Sequence, residues 1–295
     1  FMNMEKKVYD FLIIGYGPAG ISAALYALRS GRSVQIVGYD GGALAKAHLI
    51  ENYYGLATPV SGKELLEIGK SQARQLGAEI SEDQITDLFF DGTLFVASSK
   101  ENQYSGRVCV LATGAARKKQ SLAGLAALEG KGVSYCAVCD AFFYRGKNVA
   151  VLGSGEYALH EASELKQVAA SVTILTNNQE LSFENTQNFL IEKKKIESII
   201  GIEKFEGIRF ADKTESQFDG LFVALGNASA TDLARKAGAA FEQGKLVLDS
   251  SYQTSVPGLY AAGDCTGGTL QIAVAVAEGA EAALAANQFL RENSK

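Results

Sequence analysis

An α/β fold of two related units, the second inserted into the first, is what this sequence predicts, and three observations carry the prediction. Two short apolar runs, DFLII at 10–14 and NVAVL at 148–152, each read as a buried parallel strand. Each breaks at a glycine turn, Gly15-Tyr-Gly-Pro-Ala-Gly20 and Gly153-Ser-Gly-Glu-Tyr-Ala158, that opens a helical stretch. Each unit then closes on an apolar strand ending in glycine, VCVLATG at 108–114 and LFVALG at 221–226. Strand, glycine turn, helix and second strand make a Rossmann-like βαβ unit of the FAD/NAD(P) type, and the chain holds two of them.

Taken in order, the first helix is predicted at 21–30 with Gly31 as its C-terminal cap, and the next strand at 33–37. In the second unit the helix runs to about 168 and the next strand spans 172–175. The first glycine and the end of the second strand lie 25 residues apart in one unit (15 to 40) and 24 in the other (153 to 177). A helix, a meander of short strands and the apolar strand are expected after each unit. From 178 to 218 there is room for one helix and a small meander. The segment VPGLYAAGD at 256–264 is another strand-to-turn, followed by an Ala-rich helix from about 270 to 290, and it returns to the first domain. The expected domains are therefore 1–114 with 226–295, and an insertion at 115–225.

The totals narrow the function. The 295 residues allow two domains with proper cores, and 47% hydrophobic with 21% charged residues is the profile of a globular protein. A net charge of −5 argues against nucleic acid or an anionic membrane as partner. No apolar run approaches the roughly 18 residues that span a bilayer, and no leader peptide is evident. Four cysteines, two of them in a C-x-x-C, are not a secreted disulfide framework, so a cytoplasmic location is expected.

The first glycine turn has the context a dinucleotide needs. Gly15 makes the tight turn, Gly17 lets the backbone approach a pyrophosphate, and Gly20 permits close packing of helix on strand. The pyrophosphate would sit on the helix N-terminus. Asp40 stands at about the right distance to bind a ribose, although Gly38 and Tyr39 occupy the strand end and a solvated loop aspartate is the other reading. The Cys136-Ala-Val-Cys139 pair is open to three readings: half a zinc site, two packed cysteines, or a redox dithiol. Neighbouring Asp140 favours the third, because a carboxyl can relay the proton that thiol–disulfide exchange requires. A helix starting at the pair would favour the Cys136 thiolate. Cys109 reads as a packed residue, Cys265 as a residue without a role, and His48 and His160 as surface or packing residues.

GYGPAG (15–20), GGALAKAHLIENYYG (41–55), ATGA (112–115), GVSYCAVCDAFFYRGKNVAVLGSG (132–155) and TSVPGLYAAGDCTGGTLQIAVAVAEG (254–279) together resemble the low-molecular-weight thioredoxin reductases. The resemblance covers nearly the whole chain in the right order. It implies FAD in the first domain, a redox-active disulfide in the second, and a homodimer; no metal is expected, because a second Cys pair is missing and His is scarce. It places Gly15, Gly17, Pro18, Ala19 and Gly20 on the FAD pyrophosphate, Gly42 and Asn52 along the flavin, and Thr113 and Gly114 near it. Asp264, in the Gly263-Asp264 motif, would bond the ribityl chain, and Gln271, Ile272 and Ala273 match a helix start that contacts the flavin. Where the family has Arg before that Gln, this chain has Leu270, which removes a basic group. By the same resemblance Cys139 is the sulfur nearest the flavin, Cys136 attacks thioredoxin, and Asp140 exchanges the proton.

One segment departs from the family. NADPH-using members end the strand after the second glycine turn in a basic cluster that grips the 2′-phosphate. This chain has Thr176-Asn-Asn-Gln-Glu180, with no Arg or Lys until Lys193 and no acid of the NAD type at the strand end. Glu156 stands in the turn where a pyrophosphate would lie, and the domain is short. The departures together point to loss of the nicotinamide site and to another donor, as in the ferredoxin-dependent members. A ferredoxin near −400 mV reducing a thioredoxin near −270 mV releases about 6 kcal/mol for two electrons. Lys46, Arg117, Lys118 and Lys119 are positional candidates for docking an acidic ferredoxin, with a solvated charged loop as the plain alternative. The rival expectations are an NAD(P)H-dependent reductase with a divergent site, a second flavin in the second unit, and a flavin-binding redox sensor without turnover.

Overall fold

The computed structural model describes residues 7–115, 122, 124–184, 186, 189–242 and 245–293. The chain divides into two units, Phe1–Ala116 with Ser229–Lys295, and Arg117–Ala228.

In the first unit β1 (Val8–Ile14) leads to α1 (Pro18–Arg29) and β2 (Val34–Gly38). Pro18 takes the first helical position, where a missing N–H costs nothing. Gly31, at φ 75°, ends the helix as expected. Next come α2 (Gly62–Gln75) and β3 (Glu79–Glu82), with the Ser61 hydroxyl accepting the Glu64 N–H at the start of α2. The meander β4 (Asp87–Phe90), β5 (Phe95–Ser98) and β6 (Gln103–Leu111) follows. The sheet runs β3-β2-β1-β6-β5-β4, with β3 to β6 parallel and β4 and β5 antiparallel.

The second unit holds β7 (Val133–Ser134), α3 (Ala137–Asp140), β8 (Asn148–Leu152), α4 (Glu156–Lys166), β9 (Ser171–Leu175) and β10 (Leu190–Glu192). A three-stranded antiparallel sheet, β11 (Ile196–Ile200), β12 (Gly207–Phe210) and β13 (Glu215–Gln217), precedes β14 (Gly220–Val223). The main sheet runs β10-β9-β8-β14-β7, all parallel. Leu152, Leu221, Phe205, Ile208 and Phe210 fill its core.

Back in the first unit are α5 (Ala230–Lys236), the short hairpin β15 (Phe241–Glu242) and β16 (Lys245–Leu246), β17 (Leu259–Ala261) and α6 (Ile272–Glu292). A capping box of Ser229 and Asp232 starts α5. β17 joins the first sheet beside the last three residues of β6, on the edge whose earlier half is taken by β5. The small side chains of α1 and α6 let the two helices meet at close range. A Cβ on Gly279 would lie 2.1 Å from the Ala19 carbonyl oxygen.

The duplication read from the sequence is physical. Strand orders β3-β2-β1-β6 and β10-β9-β8-β14 match. In each unit the first glycine N–H donates to a carbonyl at the end of the second strand, Gly15 to Val37 at 2.7 Å and Gly153 to Leu175 at 3.0 Å. In each, that glycine abuts the end of the apolar strand. A Cβ on Gly15 would lie 2.1 Å from the Ala112 oxygen, and one on Gly153 would lie 2.2 Å from the Ala224 oxygen. Two expectations need correction. The strand-end match is Asp40 with Asn178, not Asn177, and both have left-handed φ, 59° and 62°. And no helix occurs between β9 and β14 among the described residues. Where α2 stands in the first unit, the second has a left-handed turn at Asn177 and Asn178, and β10 pairs directly with β9.

Candidate active site

In the first unit the glycine turn after β1, the turn after β2, the Ala112–Gly114 segment after β6 and the Gly263–Asp264 turn after β17 all emerge at one sheet edge. The register fixes this: Ile14 pairs with Val37 and with Leu111, and Leu111 with Ala261. This carboxyl edge, where α1 crosses to one side of β1 and β6 lies on the other, is where open α/β sheets take ligands. The structure thus brings together Gly15, Gly17, Pro18, Ala19, Gly20, Asp40, Gly42, Thr113, Gly114, Gly263 and Asp264. The Asn52 amide donates to Gln271 Oε1 at 3.2 Å, which joins the 41–55 loop to the cap of α6 and so to Ile272 and Ala273.

Several of these groups are open. A Cβ on Gly17, Gly42 or Gly114 would meet nothing within 4 Å, so their backbone is free for a bound group. The Asp264 carboxyl makes no hydrogen bond or ion pair with a described residue, and burial raises its pKa. Others are committed to the fold. Asp40 Oδ1 accepts the Gly42 N–H at 3.1 Å, a turn that holds the loop. Thr113 Oγ1 accepts the Ala230 N–H at 2.8 Å and so caps α5. Gly38 stands where an acid was sought because the buried Tyr16 ring covers it: a Cβ there would lie 2.2 Å from that ring. The Gly263 turn has a support that sequence reasoning missed. Buried Glu278 on α6 accepts the Gly263 N–H at 2.8 Å and the Thr266 hydroxyl at 3.1 Å.

In the second unit Cys136 and Cys139 form a disulfide. Cys136 caps α3, and the Cys139 N–H donates to its sulfur at 3.2 Å. Cys136 is 1% exposed whereas Cys139 is open to solvent. Ser134, absent from the sequence reading, sets up the pair: its hydroxyl accepts the Cys136 N–H at 3.1 Å and donates to Asp140 Oδ2 at 2.7 Å. The carboxyl next to the thiols is therefore tethered. Beside it Val138, Phe142 and Phe143 form an exposed apolar face. No group of three His, Cys, Asp or Glu able to hold a metal occurs among the described residues. Burial holds the thiols of Cys109 and Cys265 well above the ordinary value, and both are unpaired as disulfides. His48 is exposed and His160 half-buried.

The second glycine turn is contacted by a later segment of its own chain. Asn177 and Asn178 both adopt left-handed φ, 51° and 62°, and turn the chain back sharply after β9. The buried Asn177 side chain accepts the Ile196 N–H at 2.7 Å, and the Asn178 N–H reaches the Lys193 carbonyl at 2.9 Å. The loop then places the Ser182 N–H on the Ser154 carbonyl, inside the glycine turn, at 2.9 Å, with Phe183 buried next to it. Lys46 is exposed, and Arg117, Lys118 and Lys119 lie outside the described residues.

Comparison with known proteins agrees with this geometry. The family model described as pyridine nucleotide-disulphide oxidoreductase matches residues 9–279. The thioredoxin reductase of Peptoclostridium acidaminophilum is 34% identical over 98% of this chain and 99% of its own length. The crystal structure of the atypical thioredoxin reductase TRi from Desulfovibrio vulgaris Hildenborough superposes with TM-score 0.90 at 38% identity, covering 96% of this chain and 98% of that one. A ferredoxin-flavin thioredoxin reductase from Clostridium acetobutylicum gives TM-score 0.75 at 32% identity, covering 97% and 99%. No helix among the described residues is long and apolar enough to cross a membrane.

Proposed function

From the premise that this chain belongs to the pyridine nucleotide-disulphide oxidoreductase family and is an FAD-using disulfide oxidoreductase of the thioredoxin reductase type, we propose that it takes electrons from reduced ferredoxin and delivers them to thioredoxin. One observation carries the choice of donor. The Ser182 N–H bonds to the Ser154 carbonyl, so the chain lies against the glycine turn that would cradle a nicotinamide nucleotide. The basic cluster is absent from Thr176–Glu180, and the segment that replaces it is committed to a turn. Likeness to a protein named as a ferredoxin-flavin thioredoxin reductase supports the same donor. The resemblance also favours a cytoplasmic homodimer.

The first-unit edge suits FAD. Gly15, Gly17, Pro18, Ala19 and Gly20 would hold the pyrophosphate at the start of α1, where free N–H groups face outward. Gly42, Asn52, Gly114, Gln271, Ile272 and Ala273 would flank the flavin. Asp264, without a side-chain partner among the described residues, would take the ribityl hydroxyls, with Gly263 giving the turn. Thr113 would act from its backbone, its hydroxyl being used on α5. Bound FAD would collect electrons singly and release them as a pair.

The remaining chemistry belongs to the side chains. The Cys136–Cys139 bond takes two electrons and two protons and becomes two thiols. Exposed Cys139 is the sulfur an incoming reductant can reach, and Asp140, steadied by Ser134, holds the exchanging proton. The Cys136 thiolate then attacks the thioredoxin disulfide, releasing one thiolate and forming a mixed disulfide. Cys139 attacks the Cys136 sulfur, which frees dithiol thioredoxin and restores the internal bond. Because Cys136 is 1% exposed, this step requires that the sulfur first be uncovered. Phe142 and Phe143 offer apolar contact area for the partner.

A second reading, an NAD(P)H-dependent reductase, is favoured by one contact. Asn178 bonds to the Lys193 backbone, which brings a lysine beside the otherwise uncharged strand end. Turnover separates the two. With photoreduced ferredoxin and thioredoxin, the protein is expected to reduce insulin disulfides, and Cys139→Ser to abolish this. Equal turnover with NADPH in place of ferredoxin would favour the second reading.

A further inference from the structure

The bond between Ser134 and Asp140 has a second half. Ser134 ends β7, two residues before Cys136, and is 5% exposed. Its single proton has two acceptors within reach, Asp140 Oδ2 at 2.7 Å and the Cys136 carbonyl at 3.3 Å. Its oxygen also accepts the Cys136 N–H at 3.1 Å. A hydroxyl gives one proton and offers two lone pairs, so it donates to one of the two acceptors at a time. The Cys136 carbonyl has a lone pair to spare, because a carbonyl has two and the Asp140 N–H uses one at 3.2 Å.

We propose that Ser134 is a positioning residue that fits both protonation states of Asp140, so that this carboxyl takes up and returns a proton without being displaced. With Asp140 ionised, the Ser134 O–H donates to Oδ2. A proton arriving on Oδ1 leaves that bond as it is. A proton on Oδ2 reverses it: the carboxyl O–H donates to the second lone pair of Ser134, and the Ser134 proton turns to the Cys136 carbonyl. The Ser134–Asp140 bond persists in every state and no heavy atom moves. A backbone N–H in place of Ser134 would favour the carboxylate alone, and a carbonyl would favour the acid alone. The chemistry needs both. The Cys136 thiol gives its proton to Asp140 as its sulfur bonds to a thioredoxin sulfur. The thioredoxin disulfide breaks, and the departing sulfur takes the electron pair and then the proton from Asp140. The inference rests on the reading of Cys136–Cys139 as the electron carrier and of Asp140 as holder of the exchanging proton.

The test is a double-mutant cycle on one transfer. FAD-loaded protein is reduced with dithiothreitol, desalted without air and mixed with oxidised thioredoxin. Samples are quenched in acid and alkylated, and mass spectrometry counts the thioredoxin thiols. Asp140→Asn is expected to slow the transfer about 100-fold. Ser134→Ala is expected to slow it about tenfold when Asp140 is present, and by less than about twofold when residue 140 is already substituted. Ser134→Ala also deprives the Cys136 N–H of its acceptor, but it does so in both backgrounds, so a merely structural role would slow both equally. Tyr144, Tyr157, His160 and Glu161, the other titratable groups on the segments packed against α3, are the same in every variant. Ser134→Thr keeps the hydroxyl and is expected to run close to the native rate. Equal slowing in both backgrounds, no slowing by Ser134→Ala, or Ser134→Thr as slow as Ser134→Ala would overturn the inference. Should Ser134→Ala fail to fold, Ser134→Gly removes the same hydroxyl and is held to the same outcomes. Asp140→Asn as fast as native would overturn the proton role of Asp140 and the inference with it. Undiminished thioredoxin reduction by Cys139→Ser would instead overturn the carrier reading.

Discussion

Asp264 and Glu278 share one turn and have opposite states. Glu278 is buried and spent on the Gly263 N–H and the Thr266 hydroxyl, so it shapes the turn. Asp264 is left at the carboxyl edge with no side-chain partner among the described residues, and burial raises its pKa. A carboxyl in that state gains from a hydroxyl donor. Hydrogen bonds to charged groups contribute about 1.5–3 kcal/mol. Asp264→Ala is therefore expected to weaken FAD binding about tenfold or more, read from flavin fluorescence released on dilution. Unchanged retention would remove Asp264 from the site. The sequence pointed to Asp264 because Gly-Asp after a buried strand is a local pattern. Glu278 and Ser134 gave no such signal. A glutamate inside an Ala-rich helix and a serine before a cysteine are ordinary, and only the fold sets them against the turn and against Asp140.

At the scale of elements, the first βαβ unit was legible almost residue by residue. Gly15 and Gly20 are dictated by clashes a Cβ would make at 2.1 Å and 1.9 Å, and such clashes leave a readable pattern. The missing helix after β9 was not legible. The composition of residues 176–189 allows a helix, and the left-handed Asn177-Asn178 turn that forecloses it depends on the Ile196 N–H, 19 residues away. The meander has its own anchor. Asp83 Oδ2 accepts bonds from Ser99, Asn102 and Tyr104, tying the segment after β3 to the β5–β6 hairpin. Burial pushes the Asp83 carboxyl up, but these bonds and the Gln84 N–H together hold it below the ordinary 3.8. Its folded pKa is depressed, so its stabilisation is full above about pH 4 and is lost as pH falls through the lower folded value. Asp83→Asn is expected to cost about 1–3 kcal/mol at pH 7, measured by urea unfolding, with the difference from native shrinking toward pH 2. A difference that persists undiminished at low pH would show that charge plays no part.

For the whole molecule, the two units are copies with different fates. The first keeps an open carboxyl edge. The second keeps the strand order and the glycine turn, but the Ser182 N–H bonds to the Ser154 carbonyl within that turn, and the unit carries the disulfide. The sequence disclosed the loss of charge at Thr176–Glu180, because absent arginines can be read directly. It could not disclose that Ser182 closes over Ser154, since a backbone contact across 28 positions has no residue signature. These observations make the donor the central question. The protein should be loaded with FAD, made anaerobic, and mixed in a stopped-flow cell first with excess NADPH or NADH and separately with reduced ferredoxin. The expected result is rapid bleaching of the flavin near 450 nm by ferredoxin alone, in line with the roughly 6 kcal/mol available. Rapid bleaching by micromolar NADPH or NADH would contradict it.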